Sequence, residues 1–122
     1  MAYTKAYKEH IMYTFNGFCK VVIRYHTLAK LNGFQYELSV FDVIVELLQH
    51  SPQGKARKGN SRGPNDKVGH GRCTSDTVVG AIAIHYFGKK TGESCFDPVF
   101  VLAAILEWVG VAKNGRGFLQ LI

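Results

Sequence analysis

Cysteine is scarce in this chain and odd in number: Cys19, Cys73 and Cys95 are all there is. Without an even count or framework spacing they do not predict a disulfide scaffold, and the expected state is free thiols in a reducing cytosol. Acid is also in short supply, nine Asp and Glu against fifteen Lys and Arg, for a formal net charge of +6. That imbalance favours polyanionic partners such as nucleic acid or a nucleoprotein complex. A long apolar run is missing as well. The longest, Val99 to Ala112, is broken by Glu107 and falls short of the roughly 20 residues that span a bilayer. The opening MAYTKAYKEH has no apolar stretch of the kind a secretory signal needs, so a soluble, cytoplasmic protein with no membrane partner is expected.

What is present suits one compact domain over residues 1–122: the length is ordinary for a single unit, and 47% of the residues are hydrophobic. The chain divides into a helical half (1–50), a basic loop (51–73) and a second half (74–122). The loop, SPQGKARKGNSRGPNDKVGHGRC, holds six of the cations, Lys55, Arg57, Lys58, Arg62, Lys67 and Arg72, against one acid, Asp66. The flanking halves are close to neutral. A tether this long without periodicity tends to be functional or disordered; its cations are the candidate polyanion-binding residues, and the alternative is a solvated loop that keeps the protein soluble. No aromatic interrupts it, so base stacking is not expected there.

From Tyr3 to Leu31, Tyr7, Ile11, Phe15, Phe18, Val22, Tyr25 and Leu28 recur at steps of three and four, predicting a long amphipathic helix stopped at Asn32-Gly33. Phe34, Tyr36 and Leu38 alternate as an extended entry to a helix carrying Phe41, Ile44, Val45 and Leu48, with Ser39 as candidate cap and Pro52 beyond its end. A third helix, capped by Thr74, Ser75 or Asp76 and apolar nearly all round, is expected through Phe87. Asp97-Pro98 opens a fourth. Asn114-Gly115 then sits between two short apolar runs, the signal for a tight hairpin. The fold class expected is mainly α: a small four-helix domain with a C-terminal β-hairpin and a long basic loop.

Helix, turn, helix and hairpin in that order resemble the winged-helix arrangement, and ILEWVGVAKNGRGFLQL is similar to its helix-to-wing passage. The resemblance implies a DNA-binding fold whose wing would touch phosphates through Lys113 and Arg116. The helix from Pro98 to Val109 has only Glu107 as a charged residue, so major-groove reading by that helix is not expected. A second resemblance lies in AYKEHIMYTFNGFCKVVIR, where Tyr7, Glu9, His10, Tyr13, Phe15, Phe18, Cys19, Lys20, Ile23 and Arg24 look like the opening of the short sigma-factor-like proteins of conjugative elements. It ends at Tyr25 and implies a mobile-element setting.

Catalytic and metal patterns are weak. His70, Cys73, His85 and Cys95 are the candidate zinc ligands, but no CxxC or HxxxH pair accompanies them, and no metal or other cofactor is expected. Cys73 or Cys95 activated by His85 lacks a strand-turn-helix elbow and an orienting third group. GKKTGES fails the phosphate-loop spacing. Asp42 and Glu46 read as acids on a solvated face. The function expected is therefore a small, basic, non-enzymatic binding protein of phage or mobile-element type, acting on nucleic acid or a host nucleoprotein complex, with an anti-defence or anti-CRISPR inhibitor as one concrete form. The alternative is a sigma-like or winged-helix transcription accessory protein that binds DNA.

Overall fold

The computed structural model describes residues 27–31, 34–37 and 39–122. Strands β1 (Thr27–Leu31) and β2 (Phe34–Glu37) pair antiparallel, Leu28 opposite Tyr36 and Leu31 opposite Phe34. This corrects the expected helix through Leu31. An Asn-Gly dipeptide in the sequence suits a hairpin turn as well as a helix stop, and the register that sets Leu31 opposite Phe34 decides for the strands. The remainder of the expected helix, and the sigma-like segment Ala6 to Arg24, lie outside the described residues.

Helix α1 (Ser39–Gln49) buries Val40, Phe41, Ile44, Val45 and Leu48, which form one stripe at helical spacing. Its last carbonyls are satisfied by side chains: Ser51 Oγ donates to the Leu47 carbonyl at 2.6 Å and His50 Nδ1 to that of Glu46 at 2.8 Å. Pro52–Gly54 form a single 3-10 turn, which delivers the chain into strand β3 (Lys55–Arg57).

Helix α2 (Val78–His85) is buried from Val78 to Ala83. Its cap is Thr77, not one of the three residues before it: the Thr77 backbone is extended, and its hydroxyl accepts from the Gly80 amide at 3.1 Å while donating to the Thr74 carbonyl at 2.7 Å. Gly80 lies so close to the Thr74 carbonyl that no side chain fits there. The helix closes before Phe87, whose amide turns back to the Ile82 carbonyl while Lys89 reaches that of Ala83. Helix α3 (Val99–Trp108) follows, with Pro98 at the cap position, one residue later than the Asp97 that the sequence suggests, and the Asp97 carboxylate accepting from the Val99 amide at 3.0 Å.

Strands β4 (Ala112–Asn114) and β5 (Phe118–Leu121) make the expected hairpin. The sheet has three strands, however, in the order β3-β5-β4, all antiparallel. The described residues therefore hold three helices, a two-stranded hairpin and a three-stranded sheet, a mixed arrangement in place of the mainly α one expected. One core unites the three helices and the three-stranded sheet: Phe41, Ile44 and Leu48 of α1, Val79 and Ile82 of α2, Leu102 and Leu106 of α3, and Ala56 and Leu119 from the inner face of the sheet. Among the described residues no helix is long and apolar enough to cross a membrane.

Candidate polyanion-binding surface

The expected tether is largely built structure. Its first cations lie on β3, where alternation turns Lys55 and Arg57 outward and Ala56 into the core. Register then decides their neighbours. Lys55 pairs with Gln120, which pairs on its other side with Lys113, while Arg57 pairs with Phe118. Directly paired residues share a face, so Lys55, Arg57, Phe118, Gln120 and Lys113 make up the outer face of the sheet. The Lys55 ammonium sits 4.1 Å from the centre of the Phe118 ring, a cation–π contact. The ring also covers Gly115, where any side chain would collide with it. Gln120 Nε2 donates to the Gln53 carbonyl at 3.3 Å. An aromatic thus does stand among the loop's cations, supplied from residue 118.

Beyond β3 the backbone is pinned residue by residue. The Lys58 amide donates to the Gly117 carbonyl at 2.9 Å and its carbonyl accepts from Val79 at 3.0 Å. Gly59 has φ +75°, and a Cβ there would lie 2.7 Å from Val79 Cγ1 and against the Arg72 carbonyl. Only glycine fits such a position. The Asn60 amide donates to that same Arg72 carbonyl at 2.9 Å, and Asn60 Oδ1 accepts from the Arg62 amide at 2.8 Å.

The organising residue is Asp66, 5% exposed. Its carboxylate accepts from the Gly63 amide (2.9 Å), the Arg72 amide (2.8 Å), Arg72 Nε (2.9 Å) and Arg72 Nη2 (2.5 Å). The Arg72 guanidinium, then its amide, hold the Asp66 pKa down at about 2. The loop's single acid therefore folds it. Charge counting hides this residue, but a lone acid in a glycine-rich cationic stretch is a signal that could have found it.

The eight predicted cations do not converge on one point. Lys55, Arg57 and Lys113 share the sheet face. Lys58, Arg62 and Arg72 follow the loop behind it, with Arg62 near enough to Asp97 to favour its charged form, although burial is the stronger influence and raises that pKa. Arg57 faces Asp76 at 3.5 Å, both side chains being largely exposed. Arg116 is exposed in the hairpin turn. Lys67 points elsewhere, its ammonium donating to Ser94 Oγ at 3.0 Å.

Between β3, the loop and the hairpin turn, Arg57, Gly59, Asn60, Gly71, Arg72, Thr77 and Gly117 line a cavity of about 280 Å³. A second, of about 390 Å³, lies between α1 and α2 against Val43, Glu46, Leu47, His50, Ser75, Ala81 and His85. The four candidate zinc ligands are split. Cys73 and Cys95 meet with sulfurs 3.2 Å apart, whereas His85 lines the α1–α2 groove. Among the described residues no three His, Cys, Asp or Glu side chains come together as a metal site. Burial, reinforced by Cys95, pushes the Cys73 thiol up to about 12, so at neutral pH it is not a thiolate nucleophile. No protein-family model, no curated protein and no solved structure matches the chain.

Proposed function

We propose that this is a winged-helix-type binding module that grips the phosphate backbone of nucleic acid without reading its sequence. The observation that carries the reading is the register of the sheet, which sets Lys55, Arg57 and Lys113 on one outer face although they come from segments far apart in the chain. The element order supports it: α1, β3, α2, α3 and the β4–β5 hairpin follow the helix-turn-helix-and-wing arrangement, with β3 completing the wing's sheet. The outward positions of α3, Phe100, Ala104 and Glu107, carry no base-reading donors. Contact is therefore electrostatic, and its strength depends on counterion release.

The test is fluorescence anisotropy on mixed-sequence duplex and single-stranded oligonucleotides between low and moderate salt. Log affinity should fall linearly with log salt, and a Lys55→Gln, Arg57→Gln, Lys113→Gln variant should flatten the slope by roughly 0.9 for each phosphate that is no longer neutralised. Immeasurable binding at low salt removes the proposal.

A second reading, attachment to a host nucleoprotein complex as an anti-defence inhibitor would require, is favoured by Phe96 (46% exposed) and Phe100 (78% exposed) around the start of α3. Large exposed aromatics are the anchors that protein interfaces use. Phe100→Asp would abolish capture of such a complex and leave oligonucleotide affinity unchanged.

A further inference from the structure

The cavity beside β3 differs from the open sheet face in being walled by glycine backbone. Gly59, Gly71 and Gly117 all adopt left-handed φ, +75°, +56° and +80°, so three of its seven lining residues present main chain with no Cβ in the way. Arg57 and Arg72 supply its charge, with side chains 74% and 61% exposed. Their availability differs. Arg72 binds a single carboxylate oxygen through Nε and Nη2, which fixes the plane of the guanidinium and leaves its Nη1 end directed away from Asp66. Among the described residues the ion pair of Arg57 is with the solvent-exposed Asp76 at 3.5 Å, a contact weak enough for a stronger anion to displace. Asn60 already uses its Oδ1 on the Arg62 amide, so what it has left to offer is its NH₂ group.

The remaining groups narrow the chemistry. The Thr77 hydroxyl is spent on Thr74 and Gly80, and the Val79 amide on the Lys58 carbonyl. The Val79 and Gly80 amides of the first turn of α2 are thus already engaged, and the site rests on guanidinium and amide donors. Asp66 and Asp76 are the acids beside it, each engaged with one of the two arginines. A volume of about 280 Å³ is below the roughly 300–1,000 Å³ of pockets that enclose drug-sized ligands. It leaves ample room for a tetrahedral oxyanion with its ester substituents.

We infer that this cavity seats one phosphate group, held between Arg57 and the pre-oriented Arg72 with Asn60 donating from the side. The inference rests on the nucleic-acid reading for the source of that phosphate, a backbone diester, and Arg57 joins the two because it belongs to both the cavity and the sheet face. Planar, fixed guanidinium groups are the donors best matched to phosphate oxygens.

The experiment follows the amide resonances of the intact protein during titration with inorganic phosphate and, separately, with a short mixed-sequence oligonucleotide. The expected result is saturable shifts at Gly59, Asn60, Gly71 and Gly117 with both probes. Arg57→Gln should weaken phosphate at least tenfold, and Lys113→Gln should leave phosphate unchanged while weakening the oligonucleotide. Arg57 is exposed, so that variant keeps the fold, checked by unshifted core amides. Oligonucleotide binding without shifts at these four amides, with Arg57→Gln no worse than Lys113→Gln, overturns the seat and leaves the surface reading standing. Phosphate shifts without any oligonucleotide binding support the seat, assign it to a free phosphate compound and remove the nucleic-acid reading. No saturable response to either probe overturns both.

Discussion

Two exposed surfaces of this protein are built by opposite means. The first turn of α3 shows Phe100 because a helix packed along one side through Leu102, Leu106 and their neighbours leaves its other side wherever the sequence puts it. The basic surface is assembled instead: a three-residue strand fixes Lys55 and Arg57, a hairpin more than fifty residues later adds Lys113, and a buried carboxylate folds the intervening loop. The first surface depends on local periodicity and the second on long-range contacts. They should therefore fail differently.

The largest expected effect falls on both. Leu106→Ala removes a fully buried side chain from the core that underlies α3 and the sheet, and should cost about 2–5 kcal/mol in chemical denaturation. Next comes Gly59→Ala, which strains a left-handed backbone and drives a methyl into Val79 and the Arg72 carbonyl. It should cost about 1–3 kcal/mol and, in hydrogen exchange, loosen residues 58–77 while α3 keeps its protection. Equal loosening of both surfaces would break the distinction.

Acid should also separate them. The Asp66 carboxyl is held at about 2 against an ordinary 3.8, so its contribution is present above pH 3.8 and is lost as pH falls from there through about 2. Asp66→Asn should flatten that part of the stability profile and release Arg72, read from the Gly63 and Arg72 amide shifts. The smallest effect is expected of Phe100→Ser. With that side chain largely in solvent, stability should change by less than about 0.5 kcal/mol and oligonucleotide affinity not at all.

The helical elements are largely legible in the sequence. Phe41, Ile44, Val45 and Leu48 announce α1, Asp97-Pro98 the start of α3, and Asn114-Gly115 the hairpin, since each signal is complete within a few residues. The β1–β2 pair is not legible in the same way, because Leu28 fits a helical step of three as readily as a strand, and only pairing with Tyr36 separates the two. Thr77 takes the place of the three residues before it for a related reason: the cap is chosen by which backbone is extended when the helix, through Val79 and Gly80, meets Lys58 and Thr74.

By itself the sequence determined the charge, its concentration between Lys55 and Arg72, and the apolar stripes that make three helices and a hairpin. Those follow from composition and short-range spacing. Only the tertiary structure decided that β3 joins β5, that Lys113 and Phe118 lie beside Lys55 and Arg57, and that Asp66 holds Arg72 at the rim of a glycine-walled cavity. The physical reason is that strand partners and buried ion pairs satisfy backbone and charge across long stretches of chain. Their choice is made by the whole core, not by neighbouring residues.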